Sequence, residues 1–490
     1  MQPLFFFFVL SSKVLCCSAS SQDAKQYTAA VYEHTAIFFP FQSPPPRAKA
    51  IQIMMTNLKV YEQKAIEAAS KGAQIIVFPE DGIYGMGYTR DRIRPFLEAV
   101  PEVRHDKPWN PCRQPKDYVE VLQFLSCMAF NNSIAVVANM GDIQYCDEKD
   151  RHCPEDGHYQ FNTDVVFDTD GTFIAKYHKQ NLFHETAFDT PPSCEYVTFV
   201  TSFNVTFGIF TCFDLLFEKP AMALVEKYGV RNVVFPTAWM KGFPILHSVQ
   251  YQQSWSRVTC VNLLAANQNQ PALGMWGSGI YSSGQPLAYV YKSRIEENER
   301  LLIATLQDRA SETEIQVHSK KKITRILPLE VREKRQVKAK IMDDWYSVVK
   351  LESPKGNRIV CHGVFCCKLE YELQENYGSE LYALGAFQGP HQTDKYFLEV
   401  CVLLKCSSTD ISSCGIPVVT AKTVFQSLKI SGSFSPSTTV FPELLGGGTE
   451  VLFDAVDMVT SGHCEMEVRG FGERPLVSAT LLGRDFTRDA

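Results

Sequence analysis

The sequence lacks a second long apolar run. No stretch of the 490 residues, the apolar run Pro3–Leu10 included, is hydrophobic for long enough to cross a bilayer. A large excess of either charge is also missing: 48 Lys and Arg stand against 54 Asp and Glu, a net charge of −6. On a chain of this length, that balance speaks against nucleic acid or an anionic membrane as the main partner. No CxxC pair recurs at zinc-finger spacing, so no metal site is expected. The chain ends in the polar GRDFTRDA, so no apolar tail of the kind exchanged for a lipid anchor is expected. A positive n-region is missing from MQPLFFFFVLSSKVLCCSAS, which otherwise has the form of a secretory signal, 1–21. Its apolar core is too short for a membrane anchor, and Ser11–Lys13 interrupt it.

The apolar fraction of 45% is ordinary, so a sizeable core needs no special staples. Sixteen cysteines, fourteen of them beyond the signal, predict an oxidising, extracellular destination. Cys112 with Cys127 and Cys146 with Cys153 are spaced for local bridges, and the cysteines from Cys361 to Cys414 cluster. Cys194 and Cys260 have no near neighbour and are candidates for free thiols. Asn131 and Asn204 head glycosylation sequons. A soluble secreted glycoprotein is therefore expected.

Hydrophobic periodicity divides the chain. In residues 22–308, strands and helices alternate. Apolar residues at Ile51, Met54, Leu58, Tyr61, Ala65 and Ala69 give a helix over 48–71 that Gly72 stops, and Ile75–Phe78 follows as a strand. Further helices are predicted over 118–130, 221–228 and 246–258. Strands are predicted over 134–138, 207–211, 232–235, 261–266 and 301–306. Hairpins are expected around Asp170-Gly171 and Ser283-Gly284. This pattern gives an α/β fold, a mixed sheet covered by helices, and does not by itself separate a sandwich from a doubly wound sheet. Residues 309–343 are polar and basic and read as a solvated linker. Residues 344–490 lose helical periodicity and read as a second, disulfide-supported, mainly β domain.

Three strand ends carry chemistry. FGIFTCFD at Phe207–Asp214 delivers Cys212, QIIVFPE at Gln74–Glu80 delivers Glu80, and FIAKYHK at Phe173–Lys179 delivers Lys179. A thiol is nucleophilic as the thiolate, so Cys212 needs a base or a nearby cation. Glu80 can take the thiol proton and return it to a leaving amine. Lys179 suits holding Glu80 and an oxyanion, with the backbone N–H of Phe213 as a second donor. Taken alone, each has a plainer role: an isolated buried cysteine is usually an inert small hydrophobe or half a disulfide, a lone lysine is surface charge, and Glu80 after Pro79 can cap the next element. His178 and His184 raise a Cys–His pair of protease type. On an alternating strand, however, His178 faces away from Lys179.

AAVYEH (Ala29–His34), VFPEDGIYG (Val77–Gly85), YQFNTDVVF (Tyr159–Phe167), KYHKQNLF (Lys176–Phe183), GIFTCFD (Gly208–Asp214) and FPTAWM (Phe235–Met240) resemble the nitrilase, or carbon–nitrogen hydrolase, superfamily. They are similar above all to its biotinidase/vanin (pantetheinase) branch. The resemblance runs on through YALGAF at Tyr382–Phe387 and covers nearly the whole mature chain. It implies a four-layer α-β-β-α sandwich and a catalytic set of Glu80, Lys179 and Cys212. The implied reaction is hydrolysis of a linear amide through a Cys thioester, with no cofactor. Glu185 sits where a second carboxylate steadies Lys179, and Trp239 is a candidate for the acyl pocket. Trp276 in GMWGSG departs from the small polar residue expected there.

The implied substrate is a small vitamin conjugate. Pantetheine, giving pantothenate and cysteamine, is preferred over biocytin, giving biotin. The rivals are a catalytically silent binding protein, a reading that a disulfide at Cys212 would favour, and acyl transfer to an acceptor other than water. Nitrilase-like proteins often dimerise, but the added β domain would block the usual surface, so a monomer is expected.

Overall fold

The computed structural model describes residues 25–489 apart from 40–41, 148, 241, 243, 292–299, 309–335, 375–379, 392–395, 450–451, 453–455, 462 and 470–472. The expected signal, 1–21, lies outside them.

The first half runs β1 (Gln26–Tyr32), α1 (Arg47–Ser70), β2 (Ile75–Val77), α2 (Arg90–Ile93), α3 (Glu120–Asn132), β3 (Ala135–Tyr145), β4 (His158–Phe167) and β5 (Phe173–His178). It continues through β6 (Thr198–Val200), β7 (Thr206–Ile209), α4 (Ala223–Glu226), β8 (Asn232–Thr237), α5 (Ser248–Thr259), β9 (Asn262–Asn267), β10 (Gly279–Ser282), β11 (Gln285–Tyr289) and β12 (Leu301–Gln307). Two six-stranded sheets result, in the orders β12-β1-β2-β3-β4-β5 and β11-β10-β9-β8-β7-β6. Each is mixed, with parallel pairing at β1/β2/β3 and at β7/β8/β9.

Strand alternation explains the layers. Ala29, Val31, Ile75, Val77, Val137 and Tyr177 join one apolar cluster with Phe207, Ile209, Val233 and Leu264 of the second sheet. Their neighbours Ala30, Tyr32, Ile76, Val136 and Val165 join another with α1 and α3. The sheets therefore meet face to face with helices outside, a four-layer α-β-β-α sandwich. Helix α1 buries Met54, Leu58, Tyr61 and Ala65 from the predicted stripe, and it stops at Gly72, whose φ of +84° suits glycine. The hairpins β4–β5 and β10–β11 form as predicted.

The second half is a β-sandwich. One sheet is β13 (Val337–Ile341), β14 (Asp344–Lys350), β17 (Tyr382–Pro390), β18 (Phe397–Lys405), β23 (Leu476–Arg484) and β20 (Thr439–Gly446). The other is β15 (Lys355–His362), β16 (Phe365–Leu373), β19 (Phe425–Gly432), β22 (His463–Arg469) and β21 (Val456–Ser461). All pairs are antiparallel. Part of the stretch read as linker is strand: Val337–Ile341 pairs with β14. Its lysines, Lys338 and Lys340, alternate with buried Ala339 and Ile341, so basic composition masked a period of two.

Five disulfides lie among the described residues: Cys112–Cys127, Cys146–Cys153, Cys361–Cys366, Cys367–Cys401 and Cys406–Cys414. Cys194, Cys212 and Cys260 take part in none of these bridges. No described helix is long and apolar enough to cross a membrane.

The two halves share one apolar cluster. Trp239, Leu246 and Tyr251 of the first pack with Tyr346, Leu398, Phe441 and Leu482 of the second. Helix α5 lies between its own sheet and β20, which is why nearly every residue along it is buried despite its polar composition.

Candidate active site

Glu80, Lys179 and Cys212 lie just beyond the ends of β2, β5 and β7. The face-to-face sheets bring these three ends together. All three residues are buried. Cys212 has φ of +46°, a strained left-handed conformation for a non-glycine residue. It opens the short turn Cys212–Leu216. Asp214 fixes that turn by accepting from the backbone N–H of Thr211 (3.1 Å), the hydroxyl of Tyr177 (2.7 Å) and the backbone N–H of Asn181 (2.8 Å). Burial pushes the Asp214 carboxyl up to about 6, against these hydrogen bonds.

Glu80 is held from three sides. Its Oε1 accepts from Lys179 Nζ at 2.6 Å and from Asn162 Nδ2 at 2.8 Å, and its Oε2 accepts from the backbone N–H of Ala238 at 2.9 Å. The neighbouring Cys212 thiol helps to hold its carboxyl down. Lys179 donates to Glu185 as well. The side chains of Lys179 and Glu80 are 1% and 2% exposed, and that of Glu185 is 17% exposed, so solvent reaches the cluster from the Glu185 side.

The charges set the proton positions. Burial raises Glu80, with Lys179 opposing and Glu185 reinforcing the shift. Burial and the Glu80 carboxylate both raise Cys212, against the pull of Lys179. Burial would lower Lys179, but Glu185, Glu80 and Cys212 together hold it well above the usual lysine value. A raised lysine and a raised thiol thus flank a raised carboxyl. Losing the thiol proton to bulk water would add a net negative charge to a buried site. Moving it to Glu80 leaves the net charge unchanged, so the arrangement supports internal transfer from thiol to carboxylate.

A floor of polar residues was missed in the sequence. Asn162 donates to both Glu80 and Glu185 and accepts from Asn139, which also donates to Asp164. Asp164 takes the hydroxyl of Thr211, the residue before Cys212. Burial pushes Asp164 up to about 8. The signal was present: Gln160, Asn162 and Asp164 recur at period two in a strand buried along its whole length.

Trp239 packs in the shared core. Its indole N–H donates to Leu246 O at 3.0 Å, and its ring stacks on Tyr251, so it supports the Ala238 N–H beside Glu80. The Phe213 ring packs against Phe183, Phe217 and Tyr396. Trp276 donates to Tyr291 O at 3.1 Å. His178 turns from the cluster to Asp142 (3.0 Å) and Glu195 (2.8 Å). Burial lowers its pKa, but those carboxylates win and hold it above the ordinary value. Asn131 and Asn204 are both exposed.

The chain is similar to known proteins over nearly its whole length. A carbon–nitrogen hydrolase family model matches residues 42–278, and a vanin C-terminal domain model matches residues 335–489. Mouse pantetheinase is 42% identical over 479 residues, covering 96% of this chain and 91% of that protein. Human pantetheinase is 41% identical over 476 residues, with the same coverage. Mouse biotinidase is 38% identical over 526 residues, covering 99% of this chain and 98% of that protein. The chain belongs to the biotinidase/vanin branch of the carbon–nitrogen hydrolase superfamily. It is an enzyme of that class.

Proposed function

We propose that the enzyme hydrolyses the linear amide of pantetheine through a thioester on Cys212, giving pantothenate and cysteamine. The observation that carries this reading is the burial of Glu80, Lys179 and Cys212 at neighbouring strand ends, with Lys179 Nζ 2.6 Å from the Glu80 carboxylate. Glu80 takes the thiol proton as sulfur attacks the carbonyl carbon. Lys179 and the backbone N–H of Phe213 stabilise the oxyanion. The C–N bond breaks as Glu80 protonates the departing amine. Glu80 then deprotonates a water that attacks the thioester, and the acid leaves as the thiol re-forms. Glu185 and Asn162 position Lys179 and Glu80.

Two observations favour pantetheine over biocytin. The mouse and human pantetheinases are the more similar relatives, at 42% and 41% identity against 38% for mouse biotinidase. The biotinidase alignment, at 526 positions, is longer than this 490-residue chain and so requires gaps in it, whereas the mouse pantetheinase alignment spans 479. Secretion fits the five disulfides, and glycosylation at Asn131 and Asn204 fits their exposure. We take the secreted form to be a monomer.

The test is amine release from pantetheine and biocytin side by side, with Cys212→Ala as control. Release from pantetheine alone, lost in the variant, is expected. Release from biocytin alone would overturn the substrate. Release that survives Cys212→Ala would overturn the mechanism.

A further inference from the structure

The carboxyl-terminal sandwich reaches the turn that carries the nucleophile. Arg484, the last residue of β23, is fully buried. Its Nε donates to the carbonyl of Leu216 at 2.9 Å. Leu216 closes the turn that Cys212 opens, and the last carbonyls of such a turn have no partner within it. The remaining guanidinium donors go to Phe397 O and, in a fork, to Asp489 at 3.0 and 2.7 Å. Tyr396 stacks the cation from one side, with its ring centroid 4.9 Å from the guanidinium carbon. The same tyrosine ring lies 6.0 Å from Phe213 and from Phe217.

A second contact reaches the base. Glu443 on β20 accepts from the backbone N–H of Leu246 at 3.0 Å. Leu246 O in turn holds the indole of Trp239, next to the Ala238 N–H that binds Glu80. The carboxyl-terminal sandwich thus touches the supports of both Cys212 and Glu80.

A buried ion pair adds little net stability, because desolvation offsets its Coulomb energy. Apolar residues would close this interface equally well. What an arginine supplies is a rigid planar fork that fixes several acceptors at once. We propose that Arg484 is a positioning residue for the hydrolysis. Reaching across from the second sandwich, it locks the Cys212–Leu216 turn so that the sulfur faces Glu80 and the Phe213 N–H faces the oxyanion. The β domain is then a working part of the active site rather than an appendage. The inference rests on Cys212 being the nucleophile.

The test compares Arg484→Met, Arg484→Lys and Val360→Ala in the full secreted chain. Val360 lies in the core between the two carboxyl-terminal sheets, away from the turn, so its variant reports stability loss alone. The readouts are the alkylation rate of Cys212 by iodoacetamide and kcat and KM on whichever of pantetheine and biocytin is turned over. Arg484→Met is expected to slow both alkylation and kcat by about tenfold or more, as small misplacements of reacting atoms do, with a smaller change in KM. Val360→Ala is expected to lower the melting temperature and keep both rates.

Arg484→Lys retains the charge but not the fork and should fall between wild type and Arg484→Met. If Arg484→Met does not fold, the lysine variant alone decides: wild-type rates there overturn the proposal. Wild-type rates in Arg484→Met also overturn it, as does an equal loss of rate in Val360→Ala. Turnover that survives Cys212→Ala instead defeats the underlying reading and is distinguished by that control.

Discussion

Asn162 donates to Glu80 across 2.8 Å, and that bond ties the carboxylate to the floor of the first sheet. The same amide nitrogen donates to Glu185, so one side chain spaces two carboxylates around the Lys179 ammonium. Without it, mutual repulsion is free to move Glu80 off the thiol.

Asn162→Ala should therefore lower kcat by about tenfold or more, since a buried hydrogen bond to a charged group contributes about 1.5–3 kcal/mol. Asn162→Asp should be worse, because it places a third carboxylate against two. Steady-state amine release checks both. Wild-type kcat in Asn162→Asp would refute the spacing role.

Lys179→Gln should abolish turnover and also weaken the fold. Buried Glu80 and half-buried Glu185 lose their counter-ion, and breaking a buried pair from one side costs about 3–5 kcal/mol. Denaturant melts and activity on the same sample separate the two effects. Full activity with reduced stability would show that the ammonium is structural only.

Turnover should have an acidic limb set by Glu80. Its carboxyl is raised above 4.5 by burial, and the protonated form has no room for the thiol proton. The limb of kcat/KM should thus lie above 4.5. In Asn162→Ala, where a hydrogen bond to the carboxylate is lost, it should move further up. An unshifted limb in that variant would assign it to another group.

Stability should fall as pH rises from about 4.5 towards 8. Buried Glu33 and Glu98 are raised to about 7, and Asp164 and Glu443 to about 8, in each case by desolvation first. Each is raised in the folded state, so its contribution is fully present below the unfolded value, 4.5 for Glu or 3.8 for Asp, and is lost as pH passes the folded value. His34, lowered to about 4 by burial, pulls the other way but is outnumbered. Melting temperatures across this range check the sign, and Glu443→Gln, which keeps an acceptor for Leu246, should flatten the slope.

Much of this was legible in the sequence. The stripe from Met54 to Ala65 located α1, and the runs read over 75–78 and 207–211 located the strands that deliver Glu80 and Cys212, which end at Val77 and Ile209. Spacing was enough for the Cys112–Cys127 and Cys146–Cys153 bridges. The sandwich was legible only through resemblance, because one sheet and two facing sheets share the same alternation. Asn139, Asn162 and Asp164 were not read, since a polar residue in a strand ordinarily marks a solvent face, and here it marks a buried polar layer. Arg484 and Glu443 could not be read at all. Their partners lie 268 and 197 residues away, across a packing of two sandwiches that no local period encodes.

The most direct measurement is peptide mapping by mass spectrometry after acid quench of the enzyme turning over pantetheine. The account predicts a pantothenoyl group on the peptide carrying Cys212, absent from Cys194 and Cys260 and lost after the substrate is spent. An acyl group on another residue, or an unmodified Cys212 in enzyme that turns over with rate-limiting deacylation, would contradict it.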